Sequence, residues 1–137
     1  MGEGFGDYFA ASFFADAKPG PYKASIGSWD GIDDGEDPPC VRRLDEEITY
    51  ESFDHGESGD EHDNGQIWSA TLWGIRTALG RDIADRIILE SHFQLDGFTT
   101  FARGARAIID ADRNLNHGRH IAQLRPIFHR RGIGPVE

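Results

Sequence analysis

Cysteine is nearly absent from this 137-residue sequence: Cys40 is the single one. That excludes an internal disulfide framework and any cysteine-rich zinc module. No run of residues approaches the roughly 18 consecutive apolar positions that a membrane-spanning helix needs. No basic stretch followed by an apolar run is present either, so no signal peptide is expected within these residues. Basic side chains are also in deficit: 14 Lys and Arg stand against 24 Asp and Glu, for a net charge of −10. A surface of that sign repels phosphate, which argues against a nucleic-acid partner.

What is present is enough to fold. Apolar residues make up 38% of the chain, with nine Phe and three Trp, which is too much for a disordered segment. The length suits one domain, not two. The acidity is local. Residues 30–63 hold 14 carboxylates and only two cations, Arg42 and Arg43, whereas seven Arg and three acids lie beyond residue 100.

Apolar spacing indicates a mainly α fold of about five helices. A first helix over 2–16 places Phe5, Tyr8, Phe9 and Phe13 on one face. Gly4 and Gly6 lower its propensity by about 1 kcal/mol each, a cost that suggests close approach of another backbone or a ligand. Lys18–Pro21 ends that helix, and residues 18–63 form a long loop-rich, acidic region with short extended pieces near 22–26 and 48–53. A strongly amphipathic helix follows over 65–79, ended by Gly80. Further helices are expected over 82–95 with Asp82 as N-cap, and over 99–115 with Thr99 or Thr100 as cap. A last helix over 118–131 contains Pro126 and stops at Gly132.

Four groups of residues could carry chemistry. Glu3 and Asp7, at i and i+4, put two carboxylates on one helix face. They read either as a solvated acidic helix start or as a metal-ligating carboxylate with a partner that orients another ligand. His62, just before the helix over 65–79, reads as a polar-loop histidine or as a donor to a developing oxyanion. Arg42 and Arg43 either balance Asp45, Glu46 and Glu47 or bind a substrate carbonyl or carboxylate. Asp30, Asp33, Asp34, Glu36 and Asp37 read as a solvated loop or a calcium site, though their spacing is not that of an EF-hand. His117 and His120 read as surface or capping residues. Cys40, after two prolines and with no nearby His, gives no support to a thiol nucleophile.

The pattern resembles a known family, the fungalysin-type metallopeptidases related to thermolysin. The opening MGEGFGDYFAAS is similar to the family's segment bearing the third zinc ligand, and HDNGQIWSATLWGIRTALG to its H-x-x-G-x-[IV]-W motif and following helix. FTTFARGARAIIDADRNL and IFHRRGIG resemble its F-x-x-A-R-x-A-I-x-x-A-D helix and closing F-x-x-R-G-[IL]-G. The matches occur in the family's order from residue 1 to about 135.

The resemblance implies the helical C-terminal lobe of a peptidase catalytic domain, covering 1–137 as one domain. It implies that Glu3 ligates zinc, that Asp7 orients a ligating histidine, and that His62 stabilises the oxyanion. Arg42 or Arg43 would hold the substrate carbonyl. In such peptidases the zinc activates a water and a Glu acts as general base. The H-E-x-x-H that supplies that base and two ligands occurs nowhere in these 137 residues. The chain is therefore expected to hold one of three zinc ligands, to lack catalytic zinc and to be inactive alone.

Its implied partners are a peptide or protein substrate and an H-E-x-x-H-bearing N-terminal lobe, in cis or in trans. Exposure of the aromatic face of the first helix and of the segment around Trp68 is expected to lead to self-association, a cognate partner lobe or marginal stability. An extracellular location is implied by the resemblance. The alternative reading is an acidic, non-catalytic interaction module derived from such a peptidase.

Overall fold

The computed structural model describes residues 1–134 except 34, 36, 57 and 58, and only the backbone of Asp33. The acidic stretch over 30–37, read as a solvated loop or a calcium site, therefore lies partly outside the described residues. Among the described residues there are five α-helices: α1 (Gly2–Phe14), α2 (Glu61–Leu79), α3 (Arg81–Ser91), α4 (Phe101–Asn116) and α5 (Ile121–Arg130). Between α1 and α2 run short 3-10 turns and two strands, β1 (Ser25–Ile26) and β2 (Arg42–Arg43), paired antiparallel with Ile26 opposite Arg42. The fold is mainly helical, as the apolar spacing indicated.

The hub is α2. It packs against α1, α3, α5 and β2, while α4 lies on α3 and α5. With neighbours on several sides, α2 buries Gly65 and every residue from Ile67 to Leu72, so it is a core helix and not an amphipathic one. Trp68 is fully buried, stacked on Phe101 at 5.4 Å and edge-on to Phe5 at 5.6 Å. This corrects the expectation that the segment around Trp68 forms an exposed surface.

The face that α1 buries is a helical stripe of Gly4, Phe5, Tyr8, Ala11 and Ser12, with Asp7 buried at its edge. Phe13 falls off that stripe and is 68% exposed, so the supposed single aromatic face of α1 is divided. At the start of the stripe the two backbones touch. A Cβ on Gly4 would collide with the carbonyl oxygen of Gly65, and one on Gly65 would lie 3.1 Å from the Gly4 nitrogen. Gly6 faces open solvent, so only the first of the two glycines answers to close packing. Further along, Tyr8 and Ser12 donate to Asp85 of α3 at 2.6 and 2.8 Å, and Arg76 of α2 donates to Ser12 at 3.0 Å. Burial and the Asp85 carboxylate push the Tyr8 phenol far above its ordinary pKa.

Several boundaries differ from the sequence reading for local reasons. Asp60 accepts from the backbone N–H of His62 at 2.6 Å and of Asp63 at 3.3 Å, so α2 begins at Glu61 and His62 lies inside its first turn. Gly80, at φ +81°, closes α2 and precedes α3 directly, leaving Asp82 within α3 and not at its cap. Thr100 caps α4, accepting from Arg103 N–H. Residues 50–52 form a 3-10 turn where an extended piece was expected, pinned by Tyr50 N–H to Arg131 carbonyl at 2.8 Å. Phe93 is 85% exposed because the α period is lost in the 3-10 turn that follows α3. Gly132, at φ +70°, ends α5 with the paired bonds Gly132 N–H to His129 O and Ile133 N–H to Phe128 O, a Schellman motif.

The α4–α5 corner turns on Asp112, which is fully buried. Its carboxylate accepts from Asn116 Nδ2 at 2.9 Å, from His120 N–H at 2.9 Å and from His120 Nδ1 at 2.7 Å. A carboxylate only accepts, so His120 carries its proton on Nδ1. Burial alone would raise the Asp112 pKa; these donors outweigh it and hold it below the usual carboxylate value. The stability this provides is complete above the unfolded carboxylate pKa and is lost as pH falls through the lower folded value.

Two measurements test these packing arguments by urea unfolding. Gly4→Ala should cost about 2–3 kcal/mol through the clash with Gly65, whereas Gly6→Ala should stabilise by about 0.5–1 kcal/mol through helix propensity. Equal effects would show that the α1–α2 contact is looser than described. Asp112→Ala should cost about 2–4 kcal/mol, because it strands the His120 donors in the corner.

Candidate active site

The glycine contact sets the first turns of α1 and α2 side by side. Glu3 projects from α1 and His62 from α2, and His62 Nδ1 lies 3.3 Å from Glu3 Oε2. Both side chains are about half exposed, so the pair opens to solvent. The His62 Nδ1 atom itself is buried, and the approach to Glu3 lacks hydrogen-bond geometry. Glu61, the first residue of α2, brings a third donor: ligand atoms of Glu3, Glu61 and His62 all lie within 4.8 Å of one another. Sequence reasoning missed Glu61, whose only signal was an acid beside His62.

One turn after Glu3, Asp7 meets Arg42 of β2. Arg42 Nε donates to Asp7 Oδ2 at 2.7 Å and Nη2 to Oδ1 at 2.9 Å, a two-pronged pair that is mostly buried. The hydrogen bond to Asp7 raises the guanidinium pKa against the cost of burial, and the charges of Glu3 and Asp63 add to the effect. Arg42 therefore belongs electrostatically to the same cluster as Glu3. Its remaining nitrogen, Nη1, makes no hydrogen bond among the described residues.

Arg43 follows in an extended strand, so its side chain leaves the other face. It pairs with Asp45 at 2.9 and 2.8 Å and reaches the Pro21 carbonyl. The structure thus brings together Glu3, Asp7, Arg42 and His62, and separates Arg43 from them.

This assembly offers a carboxylate, an imidazole and a charge-balanced guanidinium in one electrostatic neighbourhood. The family model for fungalysin metallopeptidase (M36) matches residues 1–136. The chain belongs to this family. It is 26% identical to extracellular metalloproteinase 2 of Trichophyton tonsurans and to that of Arthroderma benhamiae, over 98% of this chain and 25% of each relative. Extracellular metalloproteinase 4 of Trichophyton soudanense is also 26% identical, over 98% of this chain and 41% of its own length. The chain thus spans between a quarter and two fifths of the length of these fungalysin relatives. No solved structure matches it.

In this fungalysin chain the two neighbouring arginines should separate cleanly in stability measurements. Arg42→Ala should cost about 2–3 kcal/mol, because it leaves Asp7 largely buried without its partner. Arg43→Ala, whose partner Asp45 is well exposed, should cost less than about 1 kcal/mol. Equal losses in urea unfolding would mean that the Arg42–Asp7 pair has no special standing.

Proposed function

We propose that this chain forms one wall of the active-site cleft of a zinc metalloendopeptidase and supplies part of its machinery. The observation that supports this reading is the convergence of Glu3, Asp7, Arg42 and His62 at the α1–α2 contact. The chemistry of Glu3 suits zinc, since it is an accessible carboxylate, and His62 beside it holds a ring nitrogen with no hydrogen-bond partner, uncommitted within the fold. On this reading Glu3 is the carboxylate ligand. Two histidine ligands and the general base come from an H-E-x-x-H helix outside these 137 residues, joined in cis or docked in trans. A zinc held there by Glu3 and those histidines would supply Lewis-acid polarisation for the scissile carbonyl and a water.

The chain's own residues would do the rest. His62 donates to the oxygen of the scissile carbonyl as negative charge develops on it, a role that depends on a ring held in place before the reaction. The α2 N-cap provides that placement, because Asp60 fixes the first turn from which His62 projects. Arg42 uses Nη1 to hold a substrate backbone carbonyl while Asp7 fixes its other edge. Asp7 keeps spare acceptor capacity for the ring N–H of a zinc-ligating histidine, which would couple substrate holding to metal geometry. The relatives' names place them outside the cell; the same location is proposed for the protein to which this chain belongs. Phe13 and Phe14, exposed at the end of α1 and packed edge-to-face at 4.9 Å, provide an apolar contact for a docked lobe or a second copy.

The test is peptide hydrolysis by this chain joined to its H-E-x-x-H-bearing lobe. His62→Ala should lower kcat by about 10²–10³-fold with a smaller effect on KM, the pattern of a lost oxyanion donor. Glu3→Gln should lose bound zinc together with activity. The 137-residue chain alone should not cleave peptides. Wild-type kcat in the His62→Ala enzyme would overturn the assignment.

A further inference from the structure

We propose that the cavity between α2, α5 and the segment after β2 binds an organic monocarboxylate with an apolar body, and that Arg131 holds the carboxylate. The cavity measures about 470 Å³, a size that suits a small organic molecule. None of Glu3, Asp7, Arg42 and His62 lines it, so this inference does not depend on the reading above. Leu44, Trp73 and Ile127 give it an apolar wall, and Glu47, Arg130 and Arg131 supply charge.

Arg131 carries the argument. The residue is only 7% exposed, yet its guanidinium meets no carboxylate among the described residues. A buried charge ordinarily has a partner. Nη1 donates to the carbonyl oxygens of Glu46 and Ile48 at 2.6 and 2.8 Å, which fixes the side chain in place. The opposite edge, Nε and Nη2, makes no hydrogen bond among the described residues. Neither of those atoms is a sealed-off nitrogen, so the edge reaches open space. This chain shows twice what such an edge takes. Arg42 presents Nε and Nη2 to Asp7, and Arg43 presents the same two atoms to Asp45.

The electrostatics agree. Burial lowers the Arg131 pKa, Glu47 opposes this from a distance, and the like charge of Arg130 adds to the lowering. A carboxylate on the Nε–Nη2 edge would answer both burial and repulsion. An inorganic anion would leave the Trp73 and Ile127 wall uncovered, so the cavity favours an anion with an apolar body.

Titration of the 137-residue chain with phenylacetate, followed by calorimetry and by the Trp73 indole resonance, tests this. One ligand per chain should bind. Phenylacetamide, of the same shape without the charge, should bind about tenfold more weakly or worse. Arg131→Lys keeps the charge but loses the two-pronged edge, and should weaken binding about tenfold or more. Ala78→Phe fills the cavity mouth from an exposed position of α2 and should weaken binding without altering any charge. Thermal melts accompany both variants. Because Arg131 also ties down residues 46–48, Ala78→Phe decides the matter if Arg131→Lys does not fold. A second titration, with N-acetylphenylalanine, separates two sources of the same chemistry. Tighter binding than phenylacetate points to a peptide C-terminus, weaker binding to a free acid, and either supports the site.

Equal affinity for the acid and its amide would overturn the proposal. So would full displacement by an equal concentration of inorganic phosphate, or no binding at all. Wild-type affinity in folded Arg131→Lys or in Ala78→Phe would also overturn it. Peptidase activity of the joined enzyme bears on the zinc reading alone, so the two can fail separately.

Discussion

Everything near the opening depends on how closely α1 and α2 approach at Gly4 and Gly65. Any side chain at Gly4 would meet the Gly65 carbonyl, so the crossing has no slack. The helices then run alongside each other as far as the Arg76–Ser12 hydrogen bond, their N-terminal ends together. Two positive helix ends in one place attract carboxylates. Glu3, Asp60, Glu61 and Asp63 all lie at those ends. The local acidity that stood out in the sequence is thus partly the electrostatic complement of a backbone arrangement, and the 3.3 Å approach of Glu3 to His62 is built on it.

Helix existence was legible because apolar stripes survive in any packing. Faces and boundaries were less so. The α1 stripe was assigned to Phe5, Tyr8, Phe9 and Phe13, yet the burial follows Gly4, Phe5, Tyr8, Ala11 and Ser12, since small residues are what a close helix crossing needs. Trp68 and the length of α2 beside it were misjudged for the opposite reason. A helix with neighbours on several sides has no polar face to reveal itself, and its stripe reads as merely broad. The choice between Arg42 and Arg43 could not be made from sequence, because it depends on which face of a two-residue strand looks toward a carboxylate 35 positions earlier. The proximity of Glu61 to Glu3 was invisible because the two lie on different helices.

The family resemblance was legible from motifs, and the structure shows what many of those letters do. Gly65 of the H-x-x-G stretch is a backbone contact. Asp112 of the A-D pair is the buried anchor of the α4–α5 corner. Gly132 of the closing R-G-[IL]-G is a left-handed helix stop. These residues hold the fold. A match carried largely by such positions speaks first about architecture, and the chemistry rests on the few polar residues gathered at the opening.

Among those few, Arg42 carries the strongest internal argument. A guanidinium with no carboxylate would be a mobile charge in an acidic cleft, drawn toward Glu3 or Asp63. One held by carboxylates along every edge would have nothing left to offer. Arg42 lies between these limits: Asp7 takes Nε and Nη2 in parallel bonds, which removes the side chain's freedom and most of its net charge, and Nη1 stays available in a fixed direction. That arrangement suits the carbonyl-holding role proposed for it. It also accounts for a buried Asp7 at the edge of the α1 stripe, beside Gly4 and Ala11, where the bidentate pair offsets the cost of desolvation.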